Sequence, residues 1–347
     1  MPDSSTQPRG GTGRPGGTDV ARLAGVSQKT VSRVFNDEPS VTEDTRNRVL
    51  AAARQLGYRP NGAARTLLTG RTNRIGVVSL GTALFGPSSL LVALERAARA
   101  TRYSLSIANT FEDDAAGIAA AVDSLLAQGI DAIILSEPID DAGEPLQADV
   151  PVLVLGTAPA VRAPTVLSVR TAEGGDAAAT ATRYLLGLGH ATVHHIAGPR
   201  RWWAARERRQ NWKETLVAAR AEVPEPREGD WSPASGYEIG RRLARERDVT
   251  AIFAANDDMA IGAIHALREA GKRVPRDVSV VGFDDIPVAA HVFPPLTTIS
   301  SDNVELASAG LAYLVGYLSD LGSPPPPPPP HLHRLVIRHS AAAPPTG

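Results

Sequence analysis

The chain has 347 residues, 43% hydrophobic and 21% charged, the composition of an ordinary globular protein and too long for one domain, so two or three folded units are expected. It contains no cysteine, which excludes disulfides, thiolate metal sites and cysteine nucleophiles. The net charge of -1 hides an asymmetry: Arg9 to Arg74 carry twelve Lys or Arg against five Asp or Glu, a local +7 that the rest of the chain offsets with -8. A basic head on an acidic body suits a head that meets a polyanion, although a merely solvated basic surface has the same composition.

The first segment, Met1 to Gly17, is rich in Gly, Pro and Ser and reads as a disordered tail. Its GGTGRPGG stretch lacks the Gly-Lys-Ser/Thr ending of a phosphate loop. It also lacks the apolar centre of a signal peptide, and no apolar run reaches the eighteen or so residues of a membrane span, so a cytoplasmic protein without a membrane partner is expected.

From Thr18 the pattern turns helical, with Val20, Leu23 and Ala24 on one stripe. Gly25 permits a tight turn, Ser27 is placed to cap the next helix, and that helix runs from Gln28 to Asn36. Val31 and Val34 face inward there, while Lys29, Ser32, Arg33 and Asn36 share the outer face. Two short helices around such a turn form a helix-turn-helix, whose second helix presents groups able to bond bases and phosphates in the major groove. Spacing alone leaves open a three-helix interaction module with a solvated polar face. A third helix is expected from Thr42, as cap, to Leu56, with Val49, Ala52, Ala53 and Leu56 inward and Gly57 as its stop. Pro60-Asn61 then opens a short segment, Gly62 to Thr69, too short to be helical without a partner.

Beyond Arg74 the texture alternates between strands and helices. Strands are expected at Ile75–Leu80, Ala132–Leu135, Val152–Leu155, Val193–Ile196, Ala251–Ala254 and Val278–Phe283. Amphipathic stretches at Leu90–Ala100, Gly117–Gln128, Asp176–Leu188 and Met259–Ala270 separate most of them. This alternation implies parallel sheets covered by helices, in a part large enough for two α/β lobes. Ligands of such sheets bind beyond the carboxyl ends of the strands, where Asn256, Asp257, Asp284 and Asp285 stand. Their side chains suit sugar hydroxyls; for Asp257 and Asp285, capping of the following helix fits as well. Trp231 suits stacking on a pyranose face or burial in a core. No nucleophile–base pair, metal cluster or cofactor fingerprint is evident, so neither an enzyme nor a cofactor is expected. His331 and His333, two apart near the end, lack a third ligand.

The run DVARLAGVSQKTVSRVFNDEPSVTEDTRNRVLAAARQLGYRPNGAARTLLTG, Asp19 to Gly70, resembles the head and hinge of the LacI (lactose repressor) family of transcriptional regulators. The core landmarks LGLGH with HIAGP, AANDDMAIGA, and VVGFDDI with PPLTTI extend the resemblance to LVIRHS near the C-terminus. It implies an all-α helix-turn-helix head plus an α/β core of two parallel-sheet lobes like type I periplasmic sugar-binding proteins. The implied organisation is tail 1–17, DNA-binding domain 18–57, hinge 58–72, core 73–340 and tail 341–347. One lobe would hold about 73–172 and 304–331, the other about 173–303 and 332–340.

By resemblance, Gln28, Lys29 and Arg33 read bases, and Ser32 and Asn36 contact or support phosphate contacts. Asn61 joins the DNA-binding set, and Leu67 wedges into the minor groove at the operator centre. For the effector, Arg208, Asn256 and Asp284 match polar sugar contacts, Trp231 a stacking tryptophan, and Leu84, Gly86, Pro87 and Leu90 an apolar wall. The implied partners are double-stranded operator DNA, a small sugar such as a galactoside or other glycoside, and a second copy of the chain. Three departures stand out. Gly156 replaces a common sugar-binding Asp, Trp202-Trp203 is an unusual doublet, and Pro324 to Pro330 forms a stiff proline spacer or a motif for a proline-recognition domain. The ending AAAPPTG carries no heptads, so a homodimer without a tetramerising tail is expected.

Overall fold

The computed structural model describes residues 15–35, 38, 40–59, 66, 70–80, 83–110, 117–136, 145–156, 160–169, 177–320, 325–330 and 333–345. The chain divides into two compact units, residues 1–72 and 73–347.

In the first unit, α1 (Gly17–Ala24), α2 (Gln28–Phe35) and α3 (Glu43–Leu56) enclose a core of Val20, Ala21, Ala24, Val31, Val34, Val49, Ala52 and Ala53. Local chemistry sets the helix ends. Gly25 and Gly57 take φ of +66° and +62° as left-handed caps, a conformation costly for a side chain. Ser27 Oγ accepts from Thr30 N at 3.1 Å and Thr42 Oγ1 from Thr45 N at 3.4 Å, satisfying donors that helix starts leave open. One expectation fails: Leu23 is 46% exposed. Ala21 takes its place, because packing against α2 and α3 turns the buried stripe of α1 toward the 20–21–24 positions.

Among the described residues the second unit holds two large sheets and one two-stranded pair. The first contains β1 (Arg74–Leu80), β2 (Ser104–Thr110), β3 (Ala132–Ser136), β5 (Val152–Leu155) and β7 (Val166–Val169), all parallel in the order β2-β1-β3-β5-β7. A small pair, β4 (Leu146–Gln147) and β6 (Val161–Arg162), lies beside it in sequence. Helices α4 (Phe85–Ala98) and α5 (Gly117–Leu126) cover this lobe. Burial alternates along the central strand: Ala132 and Ile134 join the α4 side, Ile133 and Leu135 the α5 side, as expected of a strand covered on both faces.

The second lobe contains α6 (Ala177–Gly187), β8 (His194–Ala197), α7 (Trp203–Ala218), β9 (Arg227–Glu228), α8 (Pro233–Leu243), β10 (Ala251–Ala254), α9 (Asp257–Glu269), β11 (Ser279–Asp284) and β12 (Thr297–Ser301). The chain then returns to the first lobe as α10 (Asn303–Ser319), whose Leu311 and Leu314 pack with Leu153 and Leu167. It passes back through Pro325–Pro330 and closes the second sheet with antiparallel β13 (His333–Val336), in the order β13-β12-β11-β10-β8-β9. His190 of the LGLGH landmark ties this end in place, its Nε2 lying 2.9 Å from Ala342 O.

Helices α8 and α9 approach at glycines. A Cβ on Gly262 would fall inside the van der Waals surface of Pro233 O, and one on Gly236 inside that of Met259 O. This contact sets the height of α9, whose first turn ends at the ligand side of the sheet. Gly262→Ala is expected to overpack the contact and destabilise the core by about 1–3 kcal/mol, read as a lower urea midpoint. An unchanged midpoint would mean that the two helices can separate at no cost.

Candidate functional site: an inter-lobe cleft and a basic helix face

The carboxyl ends of the two sheets face each other across a cavity lined by Leu84, Gly86 and Pro87 from the first lobe. Trp202, Ala204, Arg208, Trp231, Asn256 and Asp284 line it from the second. The space between these side chains is about 20 Å³, room for about one water, so a sugar ring enters only when the lobes part.

Each second-lobe residue is held by a different device. Asn256 is the N-cap of α9: its Oδ1 accepts from Met259 N at 2.9 Å and its Nδ2 donates to Trp231 O at 2.9 Å. Asn256, expected to contact a sugar, lines the cavity, and its amide also fixes Trp231. Trp231 is buried at φ +72°, against Gly198, where no side chain would fit beside its ring. Trp202 meets that ring edge-on, with centroids 5.4 Å apart and planes at 73°. Arg208 donates through Nη1 to Ala255 O at 2.6 Å and lays its guanidinium 3.6 Å over the Phe283 ring. This aims Nη2 at Asp284, whose Oδ1 lies 4.0 Å away. Asp284 and Asp285 have φ of +108° and +55°. Two non-glycine residues with positive φ lining one cavity, Trp231 and Asp284, mark backbone strain of the kind stored at functional sites.

Six of the seven residues expected at an effector site, Leu84, Pro87, Arg208, Trp231, Asn256 and Asp284, therefore line a single cavity. Leu90 does not: it is 2% exposed in the first lobe's core, because α4 starts at Phe85, which turns position 90 toward the sheet. Trp202 and Ala204 had no assigned role in the sequence; the tryptophan doublet was the only visible signal for them.

In the head, Gln28, Lys29, Ser32 and Arg33 are exposed on α2 while Val31 and Val34 are buried. Arg33 pairs with Glu38 at 3.3 Å, and Arg46 of α3 donates to Val34 O and Glu38 O at 3.4 and 3.2 Å, fixing the end of α2. Asn36, Asn61 and Leu67 lie outside the described residues.

Comparison with known proteins connects these two arrangements. Residues 18–61 match the bacterial regulatory proteins of the lacI family, and residues 182–341 the periplasmic binding protein-like domain. The lactose operon repressor of Escherichia coli (strain K12) is 36% identical, covering 82% of this chain and 79% of its own length. The ribose operon repressor of the same strain is 34% identical, over 86% and 91%. The chain belongs to the LacI family. The crystal structure of the lac repressor dimer bound to operator and the anti-inducer ONPF superposes with a TM-score of 0.77 at 31% identity, covering 94% of this chain and 98% of that one. This LacI-family chain is a transcriptional regulator. Among the described residues no helix is long and apolar enough to cross a membrane.

The LacI-family landmarks AANDDMAIGA and VVGFDDI meet at a buried carboxylate. Asp257 is 0% exposed; its Oδ2 accepts from Ile286 N at 2.9 Å and its Oδ1 from Thr298 Oγ1 at 2.5 Å. Gly282 gives Oδ1 the space that a Cβ would take. The capping reading of Asp257 thus gives way to a tie between α9, the turn after β11, and β12. Asp285 likewise caps nothing and pairs with Arg338 at 2.6 Å.

Burial pushes the Asp257 pKa up to about 7, against the lowering effect of its Thr298 and Ile286 bonds. The folded state thus binds its proton more tightly than the unfolded chain, which ionises near 4, so this contribution is full below pH 4 and is lost as pH rises through 7. Comparing urea midpoints of wild type and Asp257→Asn across this range isolates the effect. The stability of wild type relative to the variant is expected to fall by roughly 4 kcal/mol between pH 4 and 8. A constant difference would place an ionised Asp257 in the fold at all these pH values.

Proposed function

We propose that this chain is a homodimeric repressor of sugar-utilisation genes whose effector is a small glycoside, such as a galactoside, bound between the core lobes. The observation that carries the reading is the convergence of Arg208 and Asp284 with Trp231 at one strained, buried spot. A cation and a carboxylate side by side can donate to and accept from vicinal hydroxyls, and an indole face suits the C–H face of a pyranose. The sugars named for the lactose and ribose operon repressors support a sugar ligand. Calorimetry on the full chain with methyl glycosides of glucose and galactose tests this. Asp284→Ala leaves Arg208 without its carboxylate neighbour and is expected to weaken binding about tenfold or more, since an unpaired buried polar group costs about 1–3 kcal/mol. Equal affinity in wild type and variant would remove Asp284 from the site.

The DNA partner follows from the head. Gln28, Lys29 and Arg33 read base edges and Ser32 supports phosphate contacts, one head per half of a near-palindromic site. Leu67 and Asn61, with Asn36, complete the DNA-binding set by family resemblance. Arg33 must exchange Glu38 for a base, which makes it selective only on the right sequence. Gel retardation with DNA from the gene's own neighbourhood tests the assignment. Arg33→Ala is expected to cost about 1–3 kcal/mol and to relax preference at one position per half-site, whereas a uniform loss across sequences would make Arg33 a phosphate contact.

A further inference from the structure

The cleft's most unusual wall is Trp202. It is 2% exposed and belongs to the second lobe's core, with Ile196, Ala205 and Ile239 as members of the same cluster. As the residue preceding α7, it is fixed at both backbone ends: its N–H donates to Pro199 O at 3.0 Å, and its carbonyl accepts from Arg206 N at 3.1 Å. Its ring rests edge-on against Trp231, which is itself pinned by Gly198 behind it and by the Asn256 amide on its carbonyl. Neither indole can swing aside without exposing a large apolar area.

We propose that Trp202 is the specificity-determining residue of the cleft and limits the effector to a single sugar ring. This rests on the reading of the cleft as a sugar site. Trp202 stands on the same lobe as Arg208, Trp231 and Asp284, so parting the lobes withdraws Leu84, Gly86 and Pro87 but leaves the indole beside the polar groups. One ring can then place its hydroxyl edge on Arg208 and Asp284 with the indole of Trp202 beside it. A second, glycosidically linked ring has two places to go. It displaces an indole of similar bulk, or it lies on Leu84, Gly86 and Pro87, which carry no side-chain polar group and leave its hydroxyls unpaired at a cost. Exclusion by a fixed apolar wall acts against the larger competitor and adds nothing to the affinity of the smaller ligand.

The test is calorimetry on the full chain with methyl β-galactoside and methyl β-glucoside, and with lactose and cellobiose as their two-ring counterparts. Wild type is expected to bind a methyl glycoside at least about tenfold more tightly than the matching disaccharide, and Trp202→Ala to bring that ratio close to one. Trp202→Leu, which keeps an apolar contact with Trp231 in less volume, gives the same shift should the alanine variant fold poorly, and Trp202→Phe retains most of the exclusion. Wild type binding the disaccharide as tightly as the methyl glycoside overturns the proposal, as does an unchanged ratio in a folded Trp202→Ala or Trp202→Leu. Wild type that binds none of the four sugars removes the sugar reading itself, and the proposal with it.

Discussion

The cleft depends on one buried carboxylate. Asp257 sits at the first position of α9, after the strand that leads into it, and binds both the Ile286 amide and the Thr298 hydroxyl. Three separate stretches of the second lobe meet at that side chain. Without a proton it would be an ion in an apolar setting held by two hydrogen bonds, which burial disfavours. Burial raises its pKa to about 7 while the donors on its oxygens lower it, so the joint, a hydrogen-bonded knot, balances desolvation against hydrogen bonding. Because Ile286 follows directly on Asp284 and Asp285, the knot also fixes the strained turn that presents Asp284 to the cavity.

The remaining cleft residues are arranged outward from this knot. Asn256, one position earlier, caps the same helix and holds Trp231 by its carbonyl. Gly236 and Gly262 let α8 and α9 come together closely enough for that bond to form. Trp231 supports Trp202, and both belong to the core cluster against which Leu84 and Phe85 of the first lobe pack. The lobes therefore meet through apolar contact, with Arg208 and Asp284 of the second lobe lining the cavity beside it.

Much of this architecture was visible in the sequence. The strands Ala132–Ser136, Val152–Leu155 and Ala251–Ala254 are short, unbroken apolar runs, and burial on both faces is what produces such runs. The edge strand β2, SLSIANT, escaped notice because one side faces solvent and its pattern is mostly polar. The helix α7, WAARERRQNWKETLVA, was missed because its apolar residues Ala205, Trp212 and Leu216 are diluted by charges that snorkel from a half-buried surface. In the head, the caps Ser27, Thr42, Gly25 and Gly57 were legible because helix ends obey local chemistry, whereas the stripe of α1 was misplaced by one residue.

By itself the sequence determined the local events: where helices start and stop, which strands are buried, and which family motifs occur in what order. These depend on backbone chemistry and periodicity within a few residues. Only the tertiary structure decided that Asn256 acts on Trp231, that Asp257 is a tie, that Leu90 belongs to a core and that Trp202 belongs to the cleft. Those roles are set by contacts between residues separated by 25 to 41 positions, as in Asn256 with Trp231 and Asp257 with Thr298. No local pattern encodes such a meeting, because the distance between two side chains on different elements is fixed by how the sheets and helices pack, not by the residues next to either one.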